Sequence, residues 1–497
     1  MLFNEQSFLF LFLPVVLAGF FAIRAWAPKL TCGWVVVSSF FFYGFHAREH
    51  LPLLAGSIIL NYWLGTIIQK TEKPKTTSNL LALGIFGNLG VLALFKYADF
   101  FLLQMGYDEG FGLLLPLAIS FFTFQQIAYL VDLRRCKITN PGFMHYCVFV
   151  SFFPQLIAGP IVRCQKIIPQ LKTGMLGKFS SEAFWTGLCL FSIGLFKKAC
   201  LADGIRPLTE SIFAASGSGT ILSIAEAWVG ATAFGLQIYF DFSAYSEMAL
   251  GIGLFFGLRL PLNFNSPYKA ESIIDFWRRW HITLSEFLRD YLYKTLGGNR
   301  LGVSRSIVNI MIVMALGGLW HGAGWTFVVW GVLHGCLIGF NHLLRAWNKN
   351  AAQPDKKSTI NRFFSRMLTF AAVTLAWVFF RSDDFGPALG MIRSMLGFNG
   401  IDLPRTFGSS GKLDYFTFGG LFPNQIADVG LLLFLLPLLG LVWFAPNAIE
   451  MSKIGMDRDS RIKTPGFIVL AFCGFLLFWG IKVSFEEITY DFIYFRF

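Results

Sequence analysis

The chain has 497 residues, of which 55% are hydrophobic and 14% charged, with 58 Phe and a mean hydropathy of +0.58. So few charges cannot cover a soluble protein of this size, and the composition describes an all-α, polytopic membrane protein. The net charge of +12 does not point to nucleic acid: Lys and Arg fall in short clusters between apolar runs and not on one basic face, so they mark cytoplasmic loops among membrane lipids.

The first segment carries Glu5 before FLFLFLPVVLAGFFAI, with Arg24 and Lys29 after it, which predicts an uncleaved anchor whose N-terminus lies outside. Further apolar runs fall near residues 31–46, 51–68, 79–104, 112–131, 180–199, 222–257, 306–320, 325–344, 367–380, 425–445 and 466–482. Basic clusters fall at Lys70, Lys73 and Lys75, at Arg134, Arg135 and Lys137, across 259–305, from Arg345 to Arg366, and from Lys453 to Lys463. With these inside, the loop at Asp108 and Glu109, the loop at about 383–424 and the C-terminal tail from about 483 lie outside. Two stretches leave the span count open by one or two. Residues 143–168 carry Pro154, Gly159 and Pro160 in mid-run, which predicts a re-entrant or broken segment. Residues 222–257 hold the polar island YFDFSAYSE with Asp241 and Glu247, and form one long helix or two short ones. No repeat or soluble domain is visible, so residues 1–497 read as one membrane domain with a core block at about 222–345. The eight cysteines are scattered singly, without C-x-x-C or His/Cys ligand spacing, which predicts reduced thiols and no metal site.

Between Ile273 and Tyr291, apolar residues recur at Ile273, Trp277, Trp280, Leu284, Phe287 and Tyr291, alternately four and three apart, and charges take the other face. The spacing predicts one amphipathic helix at the cytoplasmic headgroup level. His281, four residues after Trp277, falls on its inner face, and Arg278 and Arg279 are expected among lipid phosphates, the sharper reading being contact with a donor's phosphates. The second signal is LGGLWHGAGW at 316–325. His321 lies near membrane depth, where a polar side chain is costly unless it faces protein, cavity or water. Gly317, Gly318, Gly322 and Gly324 are expected to loosen the helix around it, as suits a reaction chamber. His334 and His342 flank a span with no partner at ligand spacing and read as structural.

IYFDFSAYSEMALGIGLFFGLRLPLNFNSPY, IIDFWRRWHITLSEFLRDYLYKTLGGNR and GGLWHGAGWTFVVWGVLHG resemble the central block of the membrane-bound O-acyltransferase family, within it the bacterial alginate O-acetyltransferase branch. FLFLFLPVVL, SFFTFQQIAYLVDLRR, FFPQLIAGPIVR and the terminal FIYFRF are similar too. The resemblance implies a multi-helix bundle with a central tunnel in the bacterial inner membrane, and acyl transfer across it. His321 matches the family's intramembrane histidine and His281 its upstream one, the latter serving chemistry or lining the donor entrance. Trp277, Trp280, Trp320 and Asp241 are the candidate tunnel residues, and acetyl-coenzyme A is the implied donor. Neutral imidazole suits the task, because transfer to a hydroxyl needs a base near pH 7. The tail is similar to the FIYF-type end of a small partner of teichoic-acid D-alanylation. That likeness makes Tyr494 an acyl relay, whereas the plain reading is an aromatic anchor at the interface. The outer loops carry no G-D-S nucleophile motif and no Asp-x-x-His pair, so the resemblance implies a separate extracytoplasmic acetyltransferase that modifies a polysaccharide such as alginate, or peptidoglycan. The rival class is a transporter, which should show matching broken helices in its two halves.

Overall fold

A computed structural model describes residues 1–107, 109–174, 176–347, 358–399, 428–452, 462, 464–486 and 490–493. Among them every regular element is helical. The N-terminal side is built from α1 (Leu13–Trp26), α2 (Thr31–Gly44), α3 (Leu51–Lys70), α4 (Pro74–Gln104) and α5 (Ile119–Arg134). α6 (Phe143–Ser151), α7 (Phe153–Leu156) and α8 (Cys164–Lys172) are short. They resolve the Pro- and Gly-bearing stretch as the broken segment its composition predicts. Its open backbone is satisfied by protein: Gln155 donates to the Phe149 carbonyl at 2.6 Å and the Phe153 amide to Ser39 Oγ at 3.1 Å.

The centre is α11 (Ile224–Phe255), packed against α9 (Ser181–Phe196) and α10 (Asp203–Gly217). The polar island is thus one unbroken helix, started by a capping box in which Ser223 and Glu226 exchange hydrogen bonds. Nearly every residue of α11 is buried, so its acids need partners: Glu247 pairs with Lys197 at 2.8 Å. α9 and α11 approach through small residues. A Cβ on Gly187 would stand 2.7 Å from the Gly251 carbonyl, and one on Gly194 2.7 Å from that of Ala244.

The predicted amphipathic helix is interrupted. α12 (Ile273–Arg279) and α13 (Ile282–Phe287) flank an extended Trp280 and a left-handed His281. Beyond α13 a π-helical turn covers Leu288–Tyr293. Asp290 there takes Arg163, Arg289 and Lys294 within 3.1 Å. Burial works against its charge, yet these hydrogen bonds hold the carboxyl well below the usual range.

The C-terminal part comprises α14 (Gly302–His321), α15 (Trp325–Trp347), α16 (Thr359–Arg381), α17 (Phe385–Met395), α18 (Asp428–Phe444), α19 (Ala448–Ser452) and α20 (Phe467–Glu486). α17 occupies the start of the expected outer loop at 383–424, whose residues 400–424 lie outside the described ones. Seven described helices are long and apolar enough to cross a membrane: Ser7–Trp26, Arg48–Lys70, Pro74–Gln104, Gly302–His321, Trp325–Trp347, Thr359–Arg381 and Phe467–Phe485. They flank a centre in which α5 and α11 are buried all round, the arrangement of an integral membrane protein. Phe3 and Phe492 meet at Tyr245 of α11. Phe3 stacks on it with centroids 4.5 Å apart, and Phe492 lies 5.1 Å away.

Candidate active site

His321 is the last residue of α14, and the helix is intact up to it. The glycines before it do not loosen the helix as the sequence suggests. A Cβ on Gly318 would collide with the Phe327 carbonyl, and one on Gly331 with that of Met314. These two positions let α14 and α15 touch backbone to backbone. Gly322 then leaves the helix in an extended conformation, and α15 begins at Trp325. The His321 ring is buried in an aromatic cage: Trp320 at 4.9 Å, Trp330 at 5.1 Å and Phe380 at 5.3 Å between centroids. The His281 ring is 6.5 Å away.

His281 reaches that place through a strained backbone, with φ 41° and ψ 54°. Hydrogen bonds on both sides hold the break. Ile282 donates to the Asn263 carbonyl at 2.9 Å, and Asn265 to that of Arg279 at 2.9 Å. His281 Nδ1 lies 3.0 Å from Asn263 Oδ1, which also accepts from Thr283 Oγ1 at 2.9 Å. An oxygen that gathers donors makes Nδ1 the protonated nitrogen, so Nε2 carries the lone pair. That Nε2 is buried and has no hydrogen-bond partner among the described residues. A base or a hydrogen-bond acceptor for substrate is what it offers.

The tryptophans named from the sequence share this region. Trp280 is fully buried between Phe276, at 5.6 Å, and Trp377, at 5.0 Å. Trp277 donates its indole N–H to His334 Nδ1 at 3.2 Å. Trp320 stacks on Phe124 with centroids 5.3 Å apart.

Asp241 lies in a polar cavity of about 240 Å³ lined by Ala323, Gly324, Phe380, Arg381, Asp241 and Ile493 among others. It is paired: Lys198 bridges it at 3.0 Å and Asp203 at 2.7 Å. Its second oxygen accepts the Ile493 amide at 2.8 Å. Arg206 lies over the Tyr490 ring at 4.2 Å, and Phe492 packs 5.6 Å from Phe242. Of residues 490–493, Phe492 and Ile493 are buried against the protein. Tyr494 itself lies outside the described residues. Sequence reasoning passed over Lys96, Lys198 and Asn263. For the two lysines the signal was there, an ionisable side chain within or at the end of an apolar run. For Asn263 there was none.

The fold is that of a helical membrane protein, and it buries three imidazoles, His281, His321 and His334, among aromatic rings. Residues 117–379 match the model described as MBOAT, membrane-bound O-acyltransferase family, and the chain belongs to that family. It is an O-acyltransferase and an integral membrane protein. It is 42% identical over 442 residues to the peptidoglycan O-acetyltransferase of Helicobacter pylori, covering 81% of each chain. To the probable alginate O-acetylase AlgI of Pseudomonas putida it is 34% identical over 526 residues and the whole of both chains. It is also similar to the teichoic acid D-alanyltransferase of Bacillus subtilis, at 24% over 76% of this chain and 98% of that one.

Proposed function

We propose that this protein moves acetyl groups from a cytosolic thioester, acetyl-coenzyme A, across the inner membrane for O-acetylation of an extracytoplasmic polysaccharide. The observation that carries the reading is the burial of His321 against His281, 6.5 Å between rings, with a polar cavity opening two residues further on at Ala323 and Gly324. A donor held between the histidines and an acceptor entering by that cavity meet at His321. His321 takes the acceptor's hydroxyl proton as the oxygen attacks the thioester carbonyl. The thiolate leaves, and the proton returns to it.

In this reading the first acceptor is the Tyr494 hydroxyl. Phenolate is a better leaving group than an alkoxide, so the aryl ester can pass acetyl on to a separate extracytoplasmic acetyltransferase. The docking of Ile493 on Asp241, in the wall of the same cavity, supports it. The polymer in the first reading is alginate, supported by the end-to-end match to an alginate O-acetylase. Peptidoglycan is the second reading, favoured by the 42% identity to a peptidoglycan O-acetyltransferase. Both termini are extracytoplasmic, as the basic clusters ask.

The test is to incubate purified protein with isotope-labelled acetyl-coenzyme A and search its C-terminal peptide by mass spectrometry. Label on Tyr494, absent in Tyr494→Phe together with polymer acetylation, is expected. Tyr494→Phe keeps the ring and any anchoring, so normal polymer acetylation in that strain removes the relay and leaves His321 as base. Comparing alginate and peptidoglycan acetyl content in a deletion strain separates the two polymers.

A further inference from the structure

α4 carries a lysine about 12 Å inside its end at Gln104, counted at 1.5 Å per residue. A lysine there is costly unless something compensates it. What compensates Lys96 is the end of the histidine helix. Its ammonium donates to the Trp320 carbonyl at 2.6 Å and to the His321 carbonyl at 3.2 Å, and lies 5.9 Å from the Trp320 ring centroid. The last carbonyls of a helix have no intrahelical donor and form the negative end of its dipole. A cation that caps them both satisfies and neutralises that end.

The neighbouring residues of α4 make the same grip. Tyr97 donates its hydroxyl to the Leu319 carbonyl at 2.9 Å. One turn on, Phe100 packs 5.7 Å from Trp325, and Gln104 Oε1 accepts the Trp325 indole N–H at 3.2 Å. Four side chains of one helix thus bracket residues 319–325, the turn that carries His321. Three carbonyls in succession are held, and the imidazole hangs from the last.

We infer that Lys96 is a positioning residue for the acyl transfer, fixing the His321 end of α14 from α4 by capping the Trp320 and His321 carbonyls. The inference rests on His321 being the base. It gives the Lys96 charge a role inside an apolar helix. Lys96 does not touch the reacting atoms. It sets the direction in which the imidazole is presented, and a misplacement of the order of 1 Å in such a group costs about 100-fold in rate.

The experiment compares Lys96→Met and Lys96→Arg with wild type. Met keeps the apolar stem and removes the donors; Arg retains a charge that can reach the same carbonyls. Purified proteins are assayed for acetyl-coenzyme A consumption, and their strains for polymer O-acetylation per amount of protein. In Lys96→Met, kcat is expected to fall about 10- to 100-fold, with KM and melting temperature unchanged, and Lys96→Arg to recover most of it. Wild-type kcat in Lys96→Met overturns the inference. So does a loss that appears as a lower melting temperature and is not recovered by Arg, because that is packing alone. A His321→Ala strain is scored beside them. Normal acetylation there overturns the reading of the site itself. Loss there with normal Lys96→Met overturns only the part given to Lys96.

Discussion

His321 and His281, two of the three buried histidines among the described residues, are delivered to one place by opposite backbone solutions. His321 ends an intact helix in ordinary geometry, held because Gly318 and Gly331 let α15 lie against α14. His281 sits where a helix is broken, at φ 41°, a conformation that costs a residue with a Cβ roughly 1–2 kcal/mol. The segment 263–265 enforces it through backbone hydrogen bonds on both sides. A close helix pair fixes an imidazole without strain but can only place it at a helix end. A break places one sideways into the core, and the surrounding structure must over-determine it.

The strongest way to sharpen this contrast is at His281. Glycine takes a left-handed conformation freely, so His281→Gly is expected to fold more stably than His281→Ala by about 1 kcal/mol. Both should lose acetyl transfer by about 100-fold or more if the Nε2 lone pair serves the reaction. Thermal melting and acetyl-coenzyme A turnover, measured on the same preparations, separate the two effects. Turnover kept in His281→Gly reduces His281 to a packing residue.

The glycines near His321 offer the next contrast. Gly331→Ala puts a methyl into the Met314 carbonyl and is expected to cost about 1–3 kcal/mol, as overpacking does. A Cβ on Gly324 would meet its nearest neighbour at 3.4 Å, ordinary contact, so Gly324→Ala should barely move the melting temperature. Equal effects would mean that the glycines act by loosening the helix and not by close approach.

The smallest effect is expected at Asp290, in the π-helical turn that follows α13. Its folded carboxyl is held below the ordinary value of 3.8 by three cations. A depressed carboxyl contributes stability above its unfolded value and loses it as pH falls through the folded one. Asp290→Asn should therefore melt slightly below wild type at pH 7, and the gap should close as pH falls below about 4. A gap independent of pH would assign the difference to packing.

Most of the helix inventory was legible in the sequence because long apolar runs mark helices that are buried or apolar enough to cross a membrane. The broken segment at 143–168 was legible from Pro154, Gly159 and Pro160. The interruption at 280–281 was not. The four-and-three spacing from Ile273 to Tyr291 fits a continuous helix, and what breaks it is a tertiary contact with Asn263, 18 residues upstream. His321 and the tryptophans could be picked out because polar and large aromatic residues in glycine-marked apolar stretches stand out. The partners of Asp241 could not be named in advance, because Lys198 and the Ile493 amide are distant in sequence and meet only when the π-helical turn Lys197–Ala202, α11 and residues 490–493 pack together.

The central claim is that His321 is the base that moves the acetyl group, and His321→Gln tests it most directly. Glutamine is polar and fills much of the same space but cannot take up a proton. With labelled acetyl-coenzyme A supplied to inside-out membrane vesicles, the variant should bind donor as wild type does and transfer acetyl about 100- to 10,000-fold more slowly. Transfer within a few-fold of wild type in folded His321→Gln would contradict the account.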